Sequence, residues 1–367
     1  MIVGGGIAGL ALARTLRMRG LPHLVLERRR LPADGGLAIN LPGNAIQALA
    51  ELDLREQIEQ AGHPIGRREY RTSADRLLFA VDEDRFWGEA LRPRSLRRSD
   101  LLAMLGDGMP EETIRRGAIV RSVVPDARGP LLSLKDNTTI ASSLVVGADG
   151  VHSLVRRQMF DTAAGTAPAL LAQASWRFMA PNPGVRCWTV WADAAGMVLL
   201  MPISESEVYG WAAVTAPVQS GRGVEALLDM AANLPCRVRN TILDAVASPE
   251  TLHHSPLEDV RLSRWQGSGM VLIGDAAHAT APVWAQGAAL GMEDAISLGD
   301  LLSSSPDIPA TLAAFEALRR PRVAHVQRMT DRMSRAARLP PLLRNMLLPF
   351  LGPRSYRQTY EPLRRSA

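Results

Sequence analysis

The chain of 367 residues is 47% hydrophobic and 22% charged with a formal net charge of +5, the profile of a soluble globular protein long enough for two domains. No apolar run approaches the roughly 18 residues of a membrane-spanning helix, and Cys187 and Cys236 alone support neither a disulfide framework nor a metal ligand set, so a reducing cytoplasm and no bound metal are expected. The basic excess is almost all arginine, Lys135 being the only lysine, and without aromatic interleaving or a nucleic-acid motif it predicts no nucleic-acid partner.

The first element is a strand at Met1–Val3, with no signal-peptide pattern ahead of it. It is shorter than the five or six residues typical of a strand, so either the strand is clipped or the natural start lies upstream. Gly4, Gly6 and Gly9 then form G-x-G-x-x-G, leading into a helical pattern that runs to about Gly20 and a strand at Leu24–Glu27. In such a β-α-β unit the first glycine allows the turn, the second lets backbone approach a pyrophosphate, and the third permits helix–strand packing. Glu27 ends the second strand and is placed to accept hydrogen bonds from a ribose. These features predict dinucleotide binding and leave FAD and NAD undistinguished.

A helix is predicted over Asn44–Ala61 with Asn44 as a possible cap, and another near Leu101–Leu105 capped by Ser99 or Asp100. Strands follow at Ala118–Val124, Leu131–Leu134 and Leu144–Val146. The last leads into Gly147-Ala148-Asp149-Gly150, an acid–glycine turn before a helix bearing Ser153 and Arg156. It suits phosphate contacts, or is an ordinary capped turn. From Leu170 to Ala216 the texture is β-rich, with strands at Ala174–Ala180, Arg186–Ala192, Met197–Met201 and Val208–Thr215, followed by helices near Val224–Ala232 and Val238–Val246. Strand Met270–Ile273 resumes the first texture, and the remainder is helical.

The segment Gly274–Ala295 places an acid (Asp275), a proline (Pro282) and small residues between a strand and a helix start. Unpaired N–H groups and a positive dipole end there suit an electron-rich ring or a phosphate. The predicted class is α/β: a nucleotide-binding domain (residues 1–70, 97–165 and 266–367) interrupted by a sheet domain (71–96 and 166–265).

The three motifs, in this order, resemble those of the group A flavin-dependent aromatic monooxygenases, the family of para-hydroxybenzoate and salicylate hydroxylases. Arg98-Ser99-Asp100-Leu101 resembles that family's R-x-D-L. Gly36–Ala45 is a looser match, held by Leu41, Pro42, Asn44 and Ala45, and the helix Phe315–Arg322 extends the likeness. The resemblance implies a Rossmann-like domain holding non-covalent FAD, an inserted substrate sheet and a helical C-terminus. Carried onto this chain, it assigns FAD contacts to Gly4, Gly6, Gly9, Glu27, Arg28, Arg98, Asp149, Gly150, Asp275, Gly287 and Ala288. The resemblance also implicates Asp149-Gly150 in NAD(P)H binding, and Pro282 and Trp284 are candidates to flank the ring.

It further implies that NADH or NADPH docks transiently, since there is no second G-x-G-x-x-G, and that O2 forms a flavin C4a-hydroperoxide hydroxylating an aromatic or polycyclic small molecule. Epoxidation, Baeyer–Villiger oxidation and a non-catalytic flavoprotein are the alternatives. Halogenation is disfavoured, because Lys135 lies in a turn-like segment and W-x-W-x-I-P is absent.

The family's P-x-x-G-Q-G reads Pro282-Val283-Trp284-Ala285-Gln286-Gly287, and the Ala285 methyl restricts the approach of backbone and ring. On the substrate side, Trp176, Trp188, Trp191, Tyr209 and Trp211 are candidate pocket residues or core. Strand alternation puts Trp176 and Phe178 on one face, Ser175 and Arg177 on the other, and Tyr209 with Trp211. His278 reads as structural, and His253-His254 lacks metal spacing. The apolar, arginine-flanked Leu339–Leu351 is expected to dock on the FAD domain, with a membrane surface as the alternative.

Overall fold

The structure, a computed structural model, describes residues 1–31, 37–127, 129–160, 169–192, 194–214, 223–248, 250–337 and 339–365. Its first sheet has the strand order Gln266–Gly267, Met270–Leu272, Val145–Gly147, Ile2–Val3, Val25–Glu27, Ile114–Arg116. All pairings are parallel except the edge pair Gln266–Gly267 with Met270–Leu272. Strands covered on both faces read as unbroken apolar runs, and Val145, Val146, Met270, Val271 and Leu272 are all buried. Three of these strands are neighbours, and each ends in one of the three motifs: Gly4 after Val3, Ala148 after Gly147, and Gly274 just past Leu272. Sheet order therefore gathers motifs far apart in sequence at one carboxyl edge, where ligands of open α/β sheets bind.

Small residues bring two helix N-termini to the same edge. Helix Ile7–Met18 packs along helix Gly287–Ser304. Ala8 sits between Gly274 and Gly291: a Cβ on either would lie 2.9 Å or 3.2 Å from the Ala8 methyl.

The second sheet has seven strands in the order His253–Asp259, Ala169–Pro181, Glu207–Val214, Gly196–Pro202, Trp188–Ala192, Arg67–Thr72, Leu77–Asp82. It is antiparallel except where Trp188–Ala192 meets Arg67–Thr72. One face is covered by helices Gly223–Ala231 and Cys236–Ala247, which bury Trp176, Phe178, Trp191, Val198 and Leu200. The other face carries Trp188, Met201 and Trp211 toward the first sheet.

Several expectations change at this level. The helix expected over Asn44–Ala61 is two helices, Gly43–Glu51 and Arg55–Ala61, separated where Asp53 takes a left-handed φ of 59°. Pro42 occupies the cap position, and Asn44 turns its side chain inward. The next helix starts at Arg98 and has no side-chain cap, so neither Ser99 nor Asp100 caps it. The boundary placed after residue 70 cuts strand Arg67–Thr72, which belongs wholly to the large sheet. The boundary at 165/166, Gly36, Thr215 and Arg338 lie outside the described residues.

The C-terminal helix Pro341–Tyr360 crosses strand Leu77–Asp82, where Gly352 leaves room for the Phe79 ring. Its last turns bury Tyr356 and Tyr360. Tyr356 donates to Glu83, which is ion-paired to the buried Arg68, and Trp87 Nε1 donates to the Tyr356 hydroxyl at 3.0 Å. Burial depresses the Arg68 guanidinium but Glu83 outweighs it, holding the group above its ordinary range. The docking expected of Leu339–Leu351 holds for one face of the earlier turns only: Arg344 is buried and Leu348 packs against the core, whereas Leu342, Met346 and Phe350 face solvent.

Candidate active site

A cavity of about 630 Å³ lies between the motif edge of the first sheet and the inner face of the second. The glycine loop divides its work between fold and ligand. Gly4 has φ 109°, and a Cβ there would lie 2.4 Å from the Ala148 carbonyl oxygen. A Cβ on Gly9 would lie 1.9 Å from the Gly4 oxygen, so both glycines are required by backbone packing. Gly6 is different. A Cβ there meets nothing within 4 Å, and Gly6 lines the cavity at the start of the first long helix. Its bareness leaves space for a group from outside the protein, which fits a bound pyrophosphate.

Glu27 Oε2 accepts from the Gly5 N–H at 2.7 Å and Oε1 from the Arg29 N–H at 2.8 Å, so this acid braces the loop. Arg28 is exposed, and neither Glu27 nor Arg28 lines the cavity. In the second motif Gly150, with φ 81°, lines the cavity, whereas Asp149 turns away. Asp149 Oδ2 accepts from the Leu154 and Val155 N–H groups at 2.7 and 3.2 Å, bracing the start of helix Leu154–Met159. Burial outweighs these hydrogen bonds and raises its carboxyl above the ordinary value. Ser153 and Arg156 do not reach out for phosphate. Ser153 caps the same helix, and the buried Arg156 donates to the Ala276 carbonyl at 2.8 Å and to that of Val151, tying the second motif to the third.

Asp275 opens helix Asp275–His278 and faces the cavity with no hydrogen-bond donor among the described residues. Arg98 faces the same space: desolvation lowers its guanidinium below the usual range, and Asp275 opposes the shift. An acceptor carboxylate and a cation, both directed into one cavity beside bare helix starts, suit the hydroxyls and phosphates of a dinucleotide. Pro282, Gly287 and Ala288 complete that wall. Trp284 does not join them. Its side chain is buried edge-on to Tyr360 at 5.9 Å, and its carbonyl accepts from the Tyr360 hydroxyl at 2.6 Å.

A buried network joining residues of three separate sequence segments, whose pairing no motif announced, holds this wall. Asp294 Oδ2 accepts from the Gly274 N–H at 2.9 Å and from His278 Nε2 at 2.6 Å, while Oδ1 accepts from Arg319 Nε at 2.8 Å. Arg319 also donates to Glu293, which accepts from Arg322 and from Asn44 Nδ2. Asn44 and Gln286 exchange two amide hydrogen bonds at 3.0 Å. The loop is thereby fixed to three helices, and His278 has the structural role its position suggests.

Ala285 takes the left-handed conformation, φ 53° and ψ 35°. A Cβ in that region costs about 1–2 kcal/mol, part of it recovered because alanine loses less chain entropy than glycine on folding. Ala285→Gly is therefore expected to stabilise the protein by roughly 0.5–1 kcal/mol with flavin still retained. Denaturant midpoints of the two proteins check this.

On the opposite wall, Trp188, Tyr209 and Trp211 line the cavity, with Met197, Leu199 and Met201 between them. Trp176 and Trp191 do not, because alternation sends them to the far face. Trp191 Nε1 there donates to Asp75 at 2.8 Å. Arg177 lies across from Trp211 in register, lines the cavity, and has no acidic partner among the described residues. Burial pushes the Tyr209 hydroxyl up to about 12 against the pull of Arg177 and Arg98.

Glycine turns on adjacent parallel strands, with a bare helix start among them and an aromatic-walled cavity beyond, fit a dinucleotide-dependent oxidoreductase. Residues 1–332 match the FAD binding domain family. The chain is 30% identical over 339 residues to 2-heptyl-3-hydroxy-4(1H)-quinolone synthase of Pseudomonas aeruginosa, covering 90% of this chain and 87% of that protein. It is 30% identical over 352 residues to 3-amino-4-hydroxybenzoate 2-monooxygenase of Streptomyces cremeus, covering 92% and 87%. The fold superposes on Klebsiella pneumoniae HpxO complexed with FAD and uric acid at a TM-score of 0.85, with 23% identity and coverage of 99% and 94%. The chain belongs to the group A FAD-dependent aromatic monooxygenases. It is an oxidoreductase with FAD as cofactor and NADH or NADPH as reductant.

Proposed function

We propose that the enzyme hydroxylates a flat aromatic or heteroaromatic molecule bearing an oxygen substituent, held against the inner sheet face with that oxygen toward Arg177. The observation that carries this reading is Arg177 itself, a cation without an acidic partner among the described residues, on a wall whose other members are mainly apolar and aromatic and whose one carboxylate, Glu258, faces His152 at 3.3 Å. Three relatives support a ring of that kind: their names specify a quinolone, an aminohydroxybenzoate and urate.

In this reading Gly6 and the helix starts after it and after Gln286 receive the FAD phosphates, Asp275 accepts from the hydroxyl-bearing chain, and Arg98 supplies charge. Pro282, Gly287 and Ala288 bound the ring side. Bound FAD would accept hydride from NAD(P)H and pass one atom of O2 to the substrate. The chain's own residues position and desolvate. Trp188, Tyr209 and Trp211 present flat apolar area, methionines Met197 and Met201 adapt to ring shape, and together they shield that side of the ring from water. No cavity residue is assigned as a general base. The enzyme is proposed to act in the cytoplasm with O2 as co-substrate, its reductant docking transiently.

The test is a ligand screen following NAD(P)H-dependent flavin reduction. Hydroxylated or keto aromatic rings are expected to accelerate reduction, and acceleration only by non-aromatic compounds would overturn the reading. Arg177→Met is expected to lower kcat/KM about 10- to 100-fold, the loss of one charge-assisted hydrogen bond, with flavin content unchanged.

A further inference from the structure

We propose that the exposed face of helix Pro341–Tyr360 docks on an anionic lipid surface. Leu342, Met346 and Phe350 recur every four residues and are 89%, 62% and 71% exposed, with Leu343 and Leu351 beside them also exposed. Side chains four apart share one helix face, so these form a stripe rather than scattered contacts. Arg344 and Leu348, about half a turn away, face inward and line the cavity. The helix is thus tied down on one side and bare on the other.

Charge selects the occupant. From Arg332 to Tyr360 the chain holds no aspartate or glutamate but six arginines, at 332, 335, 338, 344, 354 and 357. Arg332, Arg335, Arg354 and Arg357 are exposed. Asp331, just before the segment, is already paired with Arg261 at 2.6 Å. A second copy meeting this stripe across a two-fold axis would set arginines against arginines, with no carboxylate from the segment between them. A lipid surface rich in phosphates neutralises the arginines while its acyl boundary takes the leucines and Phe350. No described helix is long and apolar enough to cross a membrane, so the contact lies in the interface. This docking does not rest on the substrate reading.

Cosedimentation of the FAD-loaded protein with phosphatidylglycerol-rich and pure phosphatidylcholine vesicles tests it. Binding is expected to the anionic vesicles only, weakening with salt. Arg354→Gln and Arg357→Gln should each lower partitioning roughly fivefold. The triple variant Leu342→Ser, Met346→Ser, Phe350→Ser should lower it more than tenfold, with an unchanged flavin spectrum showing that the fold survives. Failure to bind phosphatidylglycerol vesicles, or undiminished binding by the triple variant, overturns the proposal. So does self-association in lipid-free buffer that the triple variant abolishes, since a second copy would then cover the stripe.

Discussion

Gly6→Ala is expected to yield a folded protein without flavin, and Gly9→Ala a protein that barely folds. The two substitutions add the same methyl group three residues apart in one motif, yet their surroundings differ. At Gly6 the methyl enters open cavity space, with no protein atom within 4 Å. The residue is the helix N-cap in extended backbone, φ −81° and ψ −171°, which alanine adopts freely. Apoprotein stability should change by less than about 1 kcal/mol, the usual scale of an N-cap substitution. The methyl does occupy space that a pyrophosphate needs to reach the helix N-terminus, so FAD content after purification should fall to near zero. At Gly9 the methyl would lie 1.9 Å from a backbone oxygen, which cannot rotate away. Strand Ile2–Val3 and helix Ile7–Met18 would have to separate, at a cost of at least 3 kcal/mol on the scale of severe core overpacking. Circular dichroism with a flavin absorbance ratio separates the outcomes. A Gly6→Ala protein that keeps its flavin would remove the assignment of Gly6 to the cofactor.

The contrast also shows what a motif carries. G-x-G-x-x-G marked the turn and its class of ligand, but only the packing distances separate glycines required by the fold from the one left for the ligand. Alternation along the inserted sheet was readable in the same way: Trp176 with Phe178, Arg177 opposite them, and Tyr209 with Trp211 take the faces that a period of two dictates. Which face meets the cavity was not readable, because that depends on where helices Gly223–Ala231 and Cys236–Ala247 land. Trp176 and Trp191 therefore proved to be core. Trp284 was misplaced for a related reason. Its neighbours Pro282 and Ala285 line the cavity, but the 3-10 turn Pro282–Trp284 and the left-handed Ala285 point the indole at Tyr360, 76 residues away in sequence. The Asn44–Glu293–Asp294–Arg319 network joins residues scattered over the chain, and short-range spacing carries no trace of such pairings. The Asn44 of the loose Gly36–Ala45 match and the arginines after Phe315 were its visible ends.

Asp294→Ala is expected to destabilise the protein by about 3–5 kcal/mol and to release flavin from what remains folded. The side chain is fully buried and accepts from the Gly274 N–H, His278 and Arg319, so its removal leaves a buried guanidinium short of one partner and a backbone donor with none. Flavin is lost through position rather than contact: Gly274 and Asp275 are consecutive, and without its anchor the loop no longer directs Asp275 into the cavity. Asp294→Asn keeps the shape and removes the charge, so it should retain more flavin than the alanine variant. The pH dependence distinguishes charge from packing. Burial pushes the Asp294 carboxyl up, but His278 and Arg319 outweigh it and hold it at about 2. A depressed carboxylate pKa stabilises the fold above the unfolded value of about 3.9 and ceases to do so as pH falls through the folded value. The wild type should therefore lose on the order of 2 kcal/mol between about pH 4 and 2 that Asp294→Asn does not lose. Denaturant titrations across that range decide it, and parallel acid slopes in the two proteins would show that Asp294 holds the loop by shape alone.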